Sequence, residues 1–136
     1  MISTISKLRR DNMAWTFKED RPIYSQLVEQ IKMGIASGKW TPGAKLPSVR
    51  DLAEEAGVNP NTMQRALADL ERDGLVYSKR TSGRYITEAV DMIEHVRDAI
   101  ASENINNFIE SMKQLGFTPE QTLNAFKQAV EGETVK

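Results

Sequence analysis

From residue 22 onward, apolar positions recur at helical spacing. Ile23, Leu27, Ile31 and Ile35 fall four apart, with Val28 beside them, and Pro22 suits the first turn of a helix. Gly38 ends this stretch, and Lys39 to Ala44, containing Pro42-Gly43, reads as a turn. A short second helix is expected after Ser48, a good N-cap with Asp51 three residues on as capping-box partner; Val49, Leu52, Ala53 and Ala56 form its apolar side and Gly57 its stop. A new start signal follows almost at once, with Asn59 as cap and Pro60 in the first turn. Met63, Ala66, Leu67 and Leu70 form the buried stripe of this third helix, which Gly74 terminates. Two helices joined across so short a glycine-containing turn form a helix-turn-helix.

The period then changes to two. Leu75-Val76-Tyr77-Ser78 and Arg84-Tyr85-Ile86-Thr87 are strand-like, and Lys79 to Gly83 between them is a polar, basic tip. From Glu88 to Leu115 the pattern is helical again. Ala89, Ile93, Val96 and Ile100 form one stripe; Ile105, Phe108, Ile109, Met112 and Leu115 form another, rotated from the first. Ser102-Glu103-Asn104 therefore marks a bend, or the two halves face different partners. Gly116 and Thr118-Pro119 separate this helix from a last one with Leu123, Phe126 and Val130 on its apolar face. Residues 1–21 look irregular. Met13 offers a second start position, which would make residues 1–12 an extension, and Trp15 and Phe17 read either as a short strand or as cover for the core.

The fold class expected is mainly α with a small β-hairpin. An N-terminal extension (1–21) precedes a winged helix-turn-helix domain (22–87) and a helical dimerisation tail (88–136). The tail's stripes offer more apolar surface than one chain readily covers, and pairing with a second copy would bury it. Ile93, Val96, Ile100, Phe108, Ile109, Met112, Leu123 and Phe126 are the interface candidates for a homodimer.

Composition narrows the function. With 40% hydrophobic and 27% charged residues, the 136-residue chain is ordinary for a globular protein. It has no apolar run of the ~20 residues a membrane span needs, and no secretory signal pattern near its start. The absence of cysteine excludes disulfides, thiolate metal sites and a cysteine nucleophile, and a cytoplasmic protein is expected. The net charge of −1 hides an asymmetry. Residues 1–87 carry 14 Lys+Arg against 10 Asp+Glu, whereas residues 88–136 carry 4 against 9. A basic part joined to an acidic one fits a module that faces phosphates and one that stays off them.

A helix that enters the major groove needs an apolar face to hold it and hydrogen-bonding side chains outside. The third helix carries Asn61, Gln64 and Arg65 on its outer side near its N-terminus, so these are the base-reading candidates; Arg72, two turns on, would meet a phosphate or solvent. Arg50, early in the second helix, is a candidate for phosphate or the groove edge, with Ser48 serving as both cap and phosphate donor. Lys79, Arg80 and Arg84 around Gly83 give a cationic hairpin tip suited to the minor groove. An enzyme is the weaker reading. The single histidine, His95, lacks triad or metal partners; there is no Gly-rich phosphate loop and no HExxH; Glu54-Glu55 are adjacent and diverge on a helix. No catalytic residue, metal ligand or cofactor is assigned. A protein-interaction adaptor is the other rival, separated from a DNA binder by salt-dependent affinity for duplex DNA.

The stretch Gly38 to Ala53, with Leu46-Pro47-Ser48-Val49-Arg50-Asp51-Leu52-Ala53 inside it, resembles the DNA-binding head of the GntR family. So do Gly57-Val58-Asn59-Pro60-Asn61-Thr62, Arg65-Ala66-Leu67, Leu70 and Gly74-Leu75-Val76, with all spacings in agreement over residues 22–86. The resemblance implies DNA contact by Arg50, Asn59, Asn61, Thr62, Gln64 and Arg65 and by the wing around Gly83. Thr81 departs from the pattern, standing where the family often has a first wing glycine. The short tail with Leu115-Gly116-Phe117-Thr118-Pro119-Glu120-Gln121 is similar to the YtrA-like subfamily. That likeness implies a homodimer formed by the tail helices and a repressor, often of ABC transporter genes; a two-fold dimer is in turn expected to occupy a palindromic operator. The sequence identifies no effector; a small-molecule effector, were one to act, is expected to change the angle between heads through the bend near Ser102–Asn104.

Overall fold

A computed structural model describes residues 15–135. The alternative start at Met13 and the stretch 1–12 lie outside them. The elements in chain order are α1 (Ile23–Ala36), α2 (Val49–Ala56), α3 (Pro60–Arg72), β1 (Val76–Lys79), β2 (Gly83–Ile86), α4 (Val90–Gln114) and α5 (Pro119–Val135). Internal contacts divide the chain after Arg97, within α4.

In the first unit the apolar stripes meet as their spacing requires. Leu27, Ile31 and Ile35 of α1, Leu52 and Ala53 of α2, and Met63, Ala66, Leu67 and Leu70 of α3 are buried in one core. α3 is the central element, packed against α1, α2 and β1. Only α3's inner stripe is used for this, so its outer side is left to solvent.

The turn between α2 and α3 is set by local chemistry. Ser48 Oγ accepts the Asp51 amide at 3.1 Å, capping α2. Gly57 ends α2 at φ +71°, a left-handed conformation that disfavours a Cβ. There the Val58 amide donates to Ala53 O at 2.9 Å and the Gly57 amide to Glu54 O at 3.2 Å, the paired bonds of a Schellman stop. Asn59 Oδ1 then accepts the Asn61 amide at 2.7 Å, and Pro60 opens α3.

The hairpin is antiparallel, with Val76 opposite Ile86, Tyr77 opposite Tyr85, Ser78 opposite Arg84 and Lys79 opposite Gly83. The tip is therefore Arg80 to Ser82, shorter than the expected Lys79 to Gly83. A third extended segment, not expected from the sequence, lies beside β2. Lys45 bridges Tyr85, the Leu46 amide donates to Arg84 O and the Ile86 amide to Ala44 O, each at 2.9 Å. The wing is tied to α3 through one carboxylate, since Glu71 accepts both Ser78 Oγ (2.9 Å) and Arg84 Nε (3.4 Å).

Trp15 and Phe17 form no strand and pack over the core. Two glutamines one turn apart on α1 hold their backbone. Gln26 exchanges hydrogen bonds with the Lys18 N–H and C=O (2.8 Å each), and Gln30 does the same with Thr16 (3.2 and 2.6 Å).

The start of α4 corrects the interface list. Ile93 is 9% exposed within the head's own core, and Val96 packs partly buried against it. These two side chains are therefore engaged within their own chain, where they cover the head. α4 does not break at Ser102–Asn104, through which the helix runs uninterrupted.

In the second unit, α5 begins with a reciprocal capping box that the sequence reading did not register. Thr118 Oγ1 accepts the Gln121 amide (3.1 Å) and Gln121 Oε1 accepts the Thr118 amide (3.0 Å). Phe108 and Phe126 meet edge to face at 6.2 Å. Together with Ile105, Ile109, Pro119, Thr122 and Leu123 they line an apolar groove of about 380 Å³. Ile105, Phe108, Ile109, Leu123 and Phe126 are all exposed, whereas Ile100 and Met112 are half-buried. Among the described residues no helix is long and apolar enough to cross a membrane.

Candidate nucleic-acid interface

The outer side of α3 presents Asn61, Gln64, Arg65, Ala68 and Arg72 to solvent, while Thr62 is half-buried. Asn61 and Arg65 are therefore both open to solvent. Asn59 is exposed as well, although its Oδ1 is engaged in the cap.

The basic side chains near this face divide by whether the protein neutralises them. Arg72 Nη2 pairs with Asp69 at 3.0 Å, and Arg84 with Glu71 at 3.4 Å. Arg84 lies on β2, not at the tip, and its side chain is only 19% exposed; it anchors the wing. By contrast Arg50, Arg65 and Arg80 are exposed and have no carboxylate partner among the described residues. An unneutralised cation on a rigid element is what a phosphate or a guanine edge can use. The Arg65 guanidinium stacks over the ring of Tyr24, 3.7 Å from its centroid. Lys79 Nζ lies 4.5 Å from the Tyr85 ring, and Gly83 is exposed beside the tip at φ +115°.

Between the N-terminus of α2 and the wing runs a groove of about 660 Å³ lined by Lys45 to Val49, Asp51 and Ser82 to Arg84. It includes Ser48 and Val49 at the start of α2, the end of a helix at which the dipole favours an anion. Lys45 is exposed here, its Cε 3.3 Å from where a Cβ on Gly83 would stand. The sequence reading missed Lys45, although a lysine three residues before a helix cap is a readable signal. Tyr24 was missed too, and nothing in the sequence connects positions 24 and 65. Away from this face, the pKa of Arg21 is raised by its 2.6 Å hydrogen bond to Glu29 and by the charge of that carboxylate, which leaves it firmly cationic.

Two helices set across a glycine turn, a solvent-facing helix bearing Asn, Gln and Arg, and a basic hairpin beside it define a winged helix-turn-helix DNA-binding transcription regulator. Residues 23–86 match the pattern of the bacterial regulatory proteins of the gntR family. YhcF of Bacillus subtilis (strain 168), an uncharacterized HTH-type transcriptional regulator, is 38% identical over 85% of this chain and 96% of its own length. The transcriptional repressor YtrA of the same organism is 36% identical over 72% of this chain and 71% of its own. A GntR family transcriptional regulator from Listeria monocytogenes superposes with a TM-score of 0.76 at 40% identity, covering 82% of this chain and 98% of that one. The DNA-binding domain of AraR in complex with operator ORX1 gives a TM-score of 0.50 at 31% identity over 53% of this chain and 93% of that one. The chain belongs to the GntR family, and its likeness to YtrA places it with the YtrA-like regulators.

Proposed function

We propose that this regulator is a dimeric repressor, acting in the cytoplasm, that occupies a palindromic operator and blocks access of polymerase. The head, residues 22–87, reads DNA: Asn61, Gln64 and Arg65 meet base edges in the major groove, with Asn59 and Thr62 beside them. Ser48, Arg50 and Lys45 hold phosphates, and Lys79, Arg80 and Gly83 place the wing against the backbone or minor groove. The observation that carries this is the α3 surface, where Asn61, Gln64 and Arg65 are exposed while nearby Arg50 and Arg80 lack carboxylate partners among the described residues. The apolar groove of the tail, with Phe108, Ile109, Leu123 and Phe126 exposed, supports pairing with a second copy. A two-fold dimer sets its heads on half-sites about one helical turn, or a multiple of it, apart. The YtrA likeness suggests ABC transporter genes as the targets.

Selection of bound duplexes from a random pool tests the reading. An inverted repeat should be enriched, and affinity for it should fall with salt, each neutralised phosphate steepening the log–log slope by about 0.9. Enrichment of single half-sites only would remove the dimer; no enrichment would remove base reading. Ser48 supplies a sharper test, because cap and phosphate roles can be separated. Ser48→Ala should cost about 1 kcal/mol in denaturant unfolding. Ser48→Asp keeps an N-cap of equal quality and should leave stability unchanged, yet set a carboxylate against phosphate and lower operator affinity measured by titration. Unchanged affinity in Ser48→Asp would move the DNA backbone away from this groove.

A further inference from the structure

Arg65 and Tyr24 make a contact that core packing does not require. Tyr24 follows Ile23 on α1, is half-buried, and stands outside the core cluster. Its ring lies under the Arg65 guanidinium at 3.7 Å. Among the described residues neither the guanidinium nor the Tyr24 hydroxyl has a hydrogen-bond partner. A guanidinium donates within its plane and attracts a π-system through its face. The stack therefore occupies a face and leaves the N–H edge unspent. Arg72, on the same helix, shows the opposite arrangement, with an Nη donor spent on Asp69 at 3.0 Å. A stacked arginine has also given up much of the rotamer freedom that a free one must surrender on binding.

We propose that Tyr24 is a positioning residue for base reading, a platform that pre-orients the Arg65 fork toward a guanine edge. The inference rests on the assignment of Arg65 as a base reader, and the test keeps the two apart. The full-length protein and its Tyr24→Phe, Tyr24→Leu, Arg65→Ala and Tyr24→Leu/Arg65→Ala variants are titrated at one salt concentration. The probes are the duplex recovered by selection and a scrambled duplex of equal length. The readout is the ratio of the two affinities, in which any loss of folded protein cancels because both duplexes meet the same active fraction.

Arg65→Ala should lower the ratio by about 5- to 150-fold, the span of one bidentate base contact. Tyr24→Leu, which keeps bulk without a π-face, should lower it by about two- to fivefold, as expected for an exposed cation–π contact. Tyr24→Phe should keep the wild-type ratio, and the double variant should match Arg65→Ala alone. The Tyr24 role is overturned if Tyr24→Leu keeps the wild-type ratio, if Tyr24→Phe loses as much as Tyr24→Leu, or if the double variant shows additive losses. Equal weakening on both duplexes would make Arg65 a phosphate contact and would overturn it too. A wild-type ratio in Arg65→Ala ends base reading by Arg65, and the platform with it. Loss in Arg65→Ala without loss in Tyr24→Leu ends the platform alone.

Discussion

If the proposed dimer forms through the tail groove, replacing Phe126 by Asp should convert it to a monomer and weaken binding to a full inverted repeat by about 10²- to 10⁴-fold, with binding to a single half-site unchanged. Phe126 is 53% exposed in the protomer and lines the apolar groove with Phe108, 6.2 Å away. Exposure makes the substitution tolerable to the isolated chain, because a carboxylate there stays hydrated. Across a two-fold interface the same carboxylate would be desolvated among apolar side chains, and its symmetry mate would add a second. The affinity loss follows from linkage of the two heads. Once one head is bound, the other meets its half-site at a high effective concentration, and loss of that term removes avidity without touching a DNA contact. Sedimentation equilibrium reads the mass and titration of full and half operators reads the affinities. A variant that stays dimeric with full affinity would place the interface elsewhere on the tail, and Leu123→Asp, at a residue 61% exposed, repeats the test one turn away.

What the sequence makes legible here is mostly local. Ser48, Gly57, Asn59 and Pro60 act through bonds within a few residues of themselves, so the boundaries of α2 and α3 can be read without knowing what surrounds them. The buried stripe of α3 is equally plain, because its four residues recur at helical spacing and its outer side is polar. Partners across the fold are a different matter. Periodicity identifies Ile93 and Val96 as a stripe but cannot tell whether the head or a second protomer covers it; the head does. Arg84 looks like a tip cation until the register pairs it with Ser78 and both reach Glu71. Lys45 joins the sheet by a single bridge, with no run of alternating residues to announce a strand. The outer side of α3 is thus readable as a polar helix surface, while which cations stay unneutralised depends on the carboxylates that the fold brings to them.

Leu67→Ala should remove about 2–5 kcal/mol of folding stability, the usual cost of a Leu→Ala cavity in a packed core. Leu67 is 1% exposed, on the side of α3 turned away from Asn61 and Arg65, and it shares the core with Leu27, Ile31, Leu52 and Leu70. α1 and α2 both pack on α3, so the gap cannot close by moving one neighbour without disturbing another. Operator binding at 25 °C should nevertheless change little. With a parent stability of about 8 kcal/mol, within the usual range, even a loss of about 5 leaves roughly 99% of the protein folded. Operator at 100 times its dissociation constant should return about 2.7 kcal/mol, visible as a raised unfolding midpoint in a thermal melt. Arg65→Ala should do the reverse, sparing the melt of the free protein and shrinking the operator-induced shift. A Leu67→Ala protein that melts as the parent does would mean α3 is not held by this core. One that melts early but also loses its preference for operator over scrambled DNA would mean the outer side chains depend on fine packing beneath them, since loss of folded protein alone cannot alter a ratio.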